Sequence, residues 1–254
     1  MHLGGQSINC FDYAMAHGVK KSFIKALAKQ SYQWCRFQNV SLDSKFDIDT
    51  KEYSYDYFKK FYSDMYVQPK YLEEKDRILT NSEFGYAIDS IIFAFGGVRE
   101  FSIFSASCIY KLACEEVEEE THQAMESLIH NFNTLHSRAG AQVPFSSINF
   151  GMDTSPEGRL ATKEVLNAIE AGLGNGETPI FPISIFLLKS GVSYNPCDKN
   201  YDLFQRACEV SAKRLFPNFI NLDSSFNLPY YQEGNYNSHV VAMGRRILSP
   251  FKTL

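Results

Sequence analysis

Gln142-Val143-Pro144-Phe145-Ser146-Ser147-Ile148-Asn149-Phe150-Gly151 reads as a strand that Gly151 ends. Asp153-Thr154-Ser155-Pro156-Glu157-Gly158, directly after it, reads as a turn that opens a helix. Ser155 can cap that helix by accepting an orphan backbone amide, and Pro156 suits the first helical position, where its missing N–H costs nothing. The helix is expected over residues 160–173, with Gly172, Gly174 and Gly176 ending it. A strongly apolar strand follows over residues 179–188, then another helix over residues 201–215. Helices that alternate with apolar strands argue an α/β fold.

Upstream, Ile109, Leu112, Ala113, Val117, Ala124, Leu128 and Ile129 recur at helical spacing without Pro or Gly, so residues 105–135 should be a long helix that Gly140 breaks. The acidic run Glu115-Glu116-Val117-Glu118-Glu119-Glu120 inside it reads as a solvated helix face and not as a metal site. Residues 6–11 read as a short strand leading to a turn at His17-Gly18. Phe23, Ile24, Leu27, Ala28 and Trp34 suggest a helix over residues 21–36, and a Tyr-rich stretch suggests another over residues 52–65.

Composition narrows the function classes. A chain of 254 residues makes one large domain or two small ones. Its net charge of -4, with basic residues no more clustered than the pairs Lys20-Lys21 and Arg245-Arg246, argues against a nucleic-acid partner, because phosphates need a basic surface. The longest apolar run, Ile91-Ile92-Phe93-Ala94-Phe95, ends at Gly96-Gly97, far short of the ~20 residues of a membrane helix. Met1-His2-Leu3-Gly4-Gly5 lacks a signal pattern, so a cytoplasmic location without a membrane partner is expected. Six scattered Cys include no CxxC pair; free thiols are expected and a metal site is not.

Four blocks carry a family resemblance. They are Gly4-Gly5-Gln6-Ser7-Ile8-Asn9-Cys10; the run from His130-Asn131-Phe132-Asn133 through His136-Ser137-Arg138 to Ser146-Ser147-Ile148-Asn149-Phe150-Gly151; Glu170-Ala171-Gly172-Leu173-Gly174-Asn175-Gly176-Glu177-Thr178-Pro179; and Tyr201-Asp202-Leu203-Phe204 with Lys213-Arg214-Leu215-Phe216-Pro217. Together they resemble the large subunit of the anaerobic, glycyl-radical ribonucleoside-triphosphate reductases. The resemblance implies a ten-stranded α/β barrel with a finger loop through its centre. Residues 1–254 would then be one incomplete piece of the catalytic barrel, without the ATP-cone region and the C-terminal glycyl-radical domain.

The same resemblance implies a reaction. Ribonucleoside triphosphates lose the 2′-hydroxyl, formate supplies electrons, and dNTP or ATP effectors regulate a homodimer. The glycyl radical is installed by a radical-SAM activating enzyme, and a zinc site lies in the C-terminal part. Cys10 stands where the family places a thiol facing the ribose, with Asn9 beside it near the substrate. Ser146, Ser147 and Asn149 lie in a strand that the family places near the substrate, although hydrogen-bonded strand polar groups are the other reading. His136 could contact substrate or formate, or serve the fold. Gly172-Leu173-Gly174-Asn175-Gly176 follows a helix, unlike a dinucleotide loop, and reads as a C-cap.

One departure matters. Family members carry the thiyl-forming cysteine in a Met-Gly-Cys-Arg motif, and this chain has Met243-Gly244-Arg245-Arg246, so Arg245 occupies the radical-cysteine slot. The chain alone is therefore expected to be inactive. The alternative is a non-enzymatic nucleotide-binding or dimerisation module derived from the enzyme, to which the helix over residues 105–135 would contribute. A glycyl-radical enzyme of the pyruvate formate-lyase kind would share the barrel but lack the Ser-Ser-Ile-Asn-Phe-Gly block.

Overall fold

The computed structural model describes residues 6–41, 55–67, 91, 103–135, 143, 145–235, 240–243 and 246–248. The chain divides into two compact units. One comprises Met1–Ala16, Thr121–Thr154 and Gly158–Leu254; the other comprises His17–Glu120 and Ser155–Glu157.

The first unit holds a parallel sheet in the order β1 (Gln6–Ile8), β2 (Ser146–Phe150), β3 (Ile183–Leu188) and β4 (Asn218–Asn221). The register pairs Ser7 with Ser147, Asn149 with Ile185, and Phe186 with both Phe150 and Phe219. The α/β expectation therefore holds as a mixed fold with a four-stranded parallel sheet. Every residue of β2 is buried, as parallel strands covered on both faces require.

Side chains alternate across a strand, so the two faces of the sheet differ. On one face Phe150, Phe186 and Phe219 stand in a row. Phe186 lies edge-on to Phe150 with ring centroids 5.8 Å apart, and Phe204 covers Phe186 and Phe219 at 6.4 and 6.0 Å. On the other face Ile185 and Leu187 pack with Met152, Leu222 and Val240. Val240 leads into β5 (Val241–Met243), which pairs antiparallel with β6 (Arg246–Leu248) and runs close to β1 and β2.

Helices begin and end where local chemistry directs. The helix expected at residue 160 starts at Pro156 and stops at Ala171, because Gly172 turns left-handed at φ +80°. A Cβ there would meet the Glu177 carbonyl oxygen at 2.5 Å, so the position requires glycine. The Gly172–Gly176 stretch is thus a helix end, as its sequence suggested. The Arg214 guanidinium donates to the carbonyls of Glu170, Ala171 and Gly176 and satisfies acceptors that the helix leaves open. The next helix runs Tyr201–Arg214 and ends on Leu215 at φ +64°. β3 begins at Ile183 and not at residue 179, because Pro179 and Pro182 offer no N–H to a ladder.

Two expectations near the chain start differ from the structure. Strand β1 covers only Gln6–Ile8, and no turn falls at His17-Gly18. The helix α1 runs Phe11–Ser41 straight through Gly18. Mid-helix glycine costs roughly 0.5–1 kcal/mol against alanine. Burial of Val19, Phe23, Ala26 and Leu27 along one face outweighs that.

In the second unit α2 (Tyr55–Val67) and α3 (Ile103–Thr134, whose residues from Thr121 onward belong to the first unit) join α1. Phe23 meets Tyr110 edge-on at 5.9 Å, and the Ser31 and Tyr62 hydroxyls share a hydrogen bond of 3.0 Å. Glu115, Glu118, Glu119 and Glu120 are exposed as expected, whereas Glu116 accepts from Lys29 at 2.6 Å and Gln30 at 2.9 Å. Leu112, whose spacing suggested the core, is exposed; Tyr110 takes the buried place instead. Gly140 lies outside the described residues. No helix among the described residues is long and apolar enough to cross a membrane.

Candidate active site

The C-terminal ends of parallel strands are where α/β sheets place their chemistry. Here the turn after β1 carries Asn9 and Cys10, and the turn after β2 carries Gly151, Met152 and Asp153. Because β1 ends at Ile8, Asn9 and Cys10 are free of the alternation that would point strand neighbours to opposite faces.

Ser7, Ser147 and Asn149 share the sheet face opposite the Phe150–Phe186–Phe219 row. Asn149 Nδ2 donates to Ser7 Oγ at 3.3 Å, and Ser7 Oγ donates to Asn9 Oδ1 at 3.4 Å. A polar relay thus crosses from β2 to β1 and reaches the exposed Asn9. Ser147 and Asn149 are fully buried. Ser146 is buried too, but alternation turns it to the aromatic-row side, and its hydroxyl has no hydrogen-bond partner among the described residues. The strand therefore puts Ser147 and Asn149 on one face, links Asn149 through Ser7 to Asn9, and turns Ser146 away. His136 and Arg245 lie outside the described residues.

Cys10 is buried and stands at φ +49°, a left-handed backbone that costs a non-glycine residue about 1–3 kcal/mol. Its carbonyl accepts the Ala14 amide at 3.0 Å, the first helical bond of α1. Burial, and after it the carboxyls of Asp12 and Asp153, push the Cys10 thiol up to about 12. At neutral pH it is an S–H group. Such a group donates a proton or a hydrogen atom and is a poor nucleophile.

Asp12, which the sequence reading passed over, holds the two turns together. One oxygen accepts the amides of Gly151, Met152 and Asp153 at 2.8, 2.9 and 2.9 Å, and the other accepts the Tyr13 amide at 3.0 Å. Burial raises its carboxyl above the ordinary range, while the Asp153, Gly151 and Tyr13 amides pull the other way. From the opposite side Asn200 Nδ2 donates to the Gly151 and Asp153 carbonyls at 3.1 and 2.9 Å. Arg159 Nη1 in turn donates to Asn200 Oδ1 at 2.8 Å, and its Nη2 pairs with Asp202 at 2.7 Å. The buried turn at residues 151–153 thus has its amides and two of its carbonyls satisfied by side chains from two other segments, as buried backbone demands. An acid in the first turn of a helix was the available signal for Asp12. It went unread because the helix was not expected to start at Phe11.

Among the described residues no three His, Cys, Asp or Glu side chains gather in a way that would hold a metal ion.

A family model described as anaerobic ribonucleoside-triphosphate reductase matches residues 1–250. The chain belongs to that family. Curated relatives named anaerobic ribonucleoside-triphosphate reductase include that of Haemophilus influenzae, 41% identical over 108 residues, which are 42% of this chain and 15% of the relative. The Escherichia coli protein of that name is 40% identical over 106 residues, 41% of this chain and 15% of the relative. That of Enterobacteria phage T4 is 36% identical over 110 residues, 43% of this chain and 18% of the relative. The matched stretch is thus a small part of each anaerobic reductase. Membership of the reductase family gives the Cys10 turn and the Ser7–Asn149 relay a chemical context that geometry alone does not supply.

Proposed function

We propose that this chain forms the substrate-facing wall of an anaerobic ribonucleoside-triphosphate reductase, residues 1–254 being an incomplete piece of its ten-stranded α/β barrel. The observation that carries the reading is the buried, protonated Cys10 thiol beside a polar relay at the C-terminal end of a parallel sheet. Loss of the ribose 2′-hydroxyl as water needs a proton, and an S–H group held in a dry turn supplies it without competing as a thiolate. Ser147, Asn149 and Asn9 would hydrogen-bond the ribose. Ser146 serves the fold in this reading, and His136 remains a proposed contact for substrate or formate.

In this family the glycyl radical, installed by a radical-SAM activating enzyme, supplies the initial hydrogen abstraction through a finger-loop cysteine. This chain has Arg245 in that slot, and a guanidinium has no S–H, so no thiyl step runs through it. A cysteine in that slot, the family's glycyl-radical loop and its zinc site would complete the reaction, with dNTP and ATP effectors acting on a homodimer in the cytoplasm. Arg245 is also the observation that favours the second reading, a nucleotide-binding or dimerisation module without turnover.

The test is deoxynucleotide formation under strict anoxia with activase, S-adenosylmethionine, formate and each ribonucleoside triphosphate. The 254-residue chain alone should make none. Addition of a polypeptide that carries the family's finger-loop cysteine and glycyl-radical loop should restore product. Nucleotide binding without product in the full mixture would favour the non-enzymatic module, and product from the chain alone would overturn the role given to Arg245.

A further inference from the structure

The reading of Cys10 leaves unexplained why a buried acid stands two residues after it. Asp12 is 1% exposed and takes four backbone amides from two turns that lie far apart in the sequence. A buried carboxylate is costly unless its lone pairs are filled, and here they are filled by the backbone alone. The Cys10 backbone meanwhile sits at φ +49°, from which an L-residue relaxes unless its surroundings hold it. The Ala14–Cys10 helical bond restrains the Cys10 carbonyl but not the direction of its Cα–Cβ bond. The Asp12 side chain joins this turn directly to the turn that ends β2.

We propose that Asp12 is the positioning residue of the Cys10 thiol: one carboxylate ties the turn that carries Cys10 to the turn that ends β2, and so keeps the thiol in place at the C-terminal end of the sheet. The catalytic meaning of this tether rests on the reading of Cys10 as proton donor. The tether itself is tested without turnover, so the two ideas fail separately. Asp12→Asn keeps the size of the side chain but sets an NH2 group against a backbone N–H and removes the charge. The turn should loosen. Loss of the charge, which together with Asp153 and burial holds the thiol protonated, should also ease formation of the thiolate.

The experiment follows alkylation of Cys10 by iodoacetamide across pH in the whole chain, resolved by peptide mass spectrometry. Cys114, a half-buried thiol in the other unit, is the internal control. In Asp12→Asn, Cys10 should label about tenfold faster at neutral pH, with its profile moved to lower pH and Cys114 unchanged. A Cys10 profile that superimposes on the wild type would overturn the proposal. If Cys114 labelling rises equally, the variant has unfolded, and the wild-type chain in graded urea decides instead. There Cys10 labelling and hydrogen exchange at the Gly151, Met152 and Asp153 amides should rise together. Cys10 labelling while those amides stay protected would equally sink the tether.

Discussion

Asn133 grips the backbone on either side of Phe181 like a strand partner. Its Oδ1 accepts the Ile180 and Phe181 amides at 3.0 and 3.1 Å, while its Nδ2 donates to the Phe181 carbonyl at 2.5 Å and to Ile129 O at 2.7 Å. One amide side chain near the end of α3 thus docks the segment that leads into β3. This gives a physical reason for an asparagine within the block from His130 to Gly151.

Asn133→Ala should cost about 1–2 kcal/mol, because the part-buried Phe181 amide and carbonyl lose their partner while the exposed Ile180 amide can turn to water. Urea unfolding followed by circular dichroism measures this. A midpoint unchanged from the wild type would show that water satisfies those amides equally well.

Phe186 is fully buried and touches Phe150, Phe204 and Phe219. Phe186→Ala should destabilise the chain by about 3–5 kcal/mol through lost burial and the cavity left behind. Gly151→Ala should act against the same ring from the other side. Its φ of +109° disfavours any Cβ, and the added carbon would come 2.9 Å from the Phe186 ring. Thermal melts of the two variants check both claims, and a Gly151→Ala variant as stable as the wild type would refute the second.

Glu170 carries a pH dependence. Its hydrogen bond with Lys213, and then that with Arg206, hold its carboxyl below the ordinary 4.5. A depressed folded value means stabilisation that is fully present above the ordinary value and is lost as pH falls through the folded one. Stability of the wild type should therefore drop below pH 4.5 more steeply than that of Glu170→Gln. The pair is largely solvent-screened, so the difference should be small. Parallel stability–pH curves for the two proteins would count against the assignment.

Cys10 and Cys208 separate role from chemistry. In the reconstituted anoxic mixture Cys10→Ser should abolish deoxynucleotide formation, since a serine hydroxyl is a far weaker acid than a thiol. Cys208 is exposed on the Tyr201–Arg214 helix, and Cys208→Ser should leave turnover largely intact. Equal rates for the two variants would remove Cys10 from the mechanism.

The alternation from β2 to the Tyr201–Arg214 helix was legible because each boundary has local chemistry: Gly151 after the strand, Pro156 at the helix start, Gly172 at its end. The burial of Ile109, Ala113, Val117 and Ile129 likewise follows from spacing alone. The β1–α1 junction was not legible. Its decisive contacts join Asp12 to amides 139, 140 and 141 residues away, and no window of sequence holds both ends. Ser146 was grouped with Ser147 because the motif reads as a block, whereas the strand divides it by pleat. Asn200 lies just before the helix expected from residue 201, and its grip on the turn at residues 151–153 came from the same long-range assembly.

The connection between β1 and β2 is long: Asn149 reaches Ser7 across 142 positions of sequence. On a ribosome adding about 5–20 residues per second, β1 would emerge roughly 7–30 s before its neighbour exists. Through that interval Ser7, Asn9 and Cys10 have no sheet to join. The Cys10 thiol is then exposed to oxidants that the finished fold excludes. The segment that carries the proposed proton donor is synthesised early and docked late, so the sulfur's most vulnerable moment comes during synthesis.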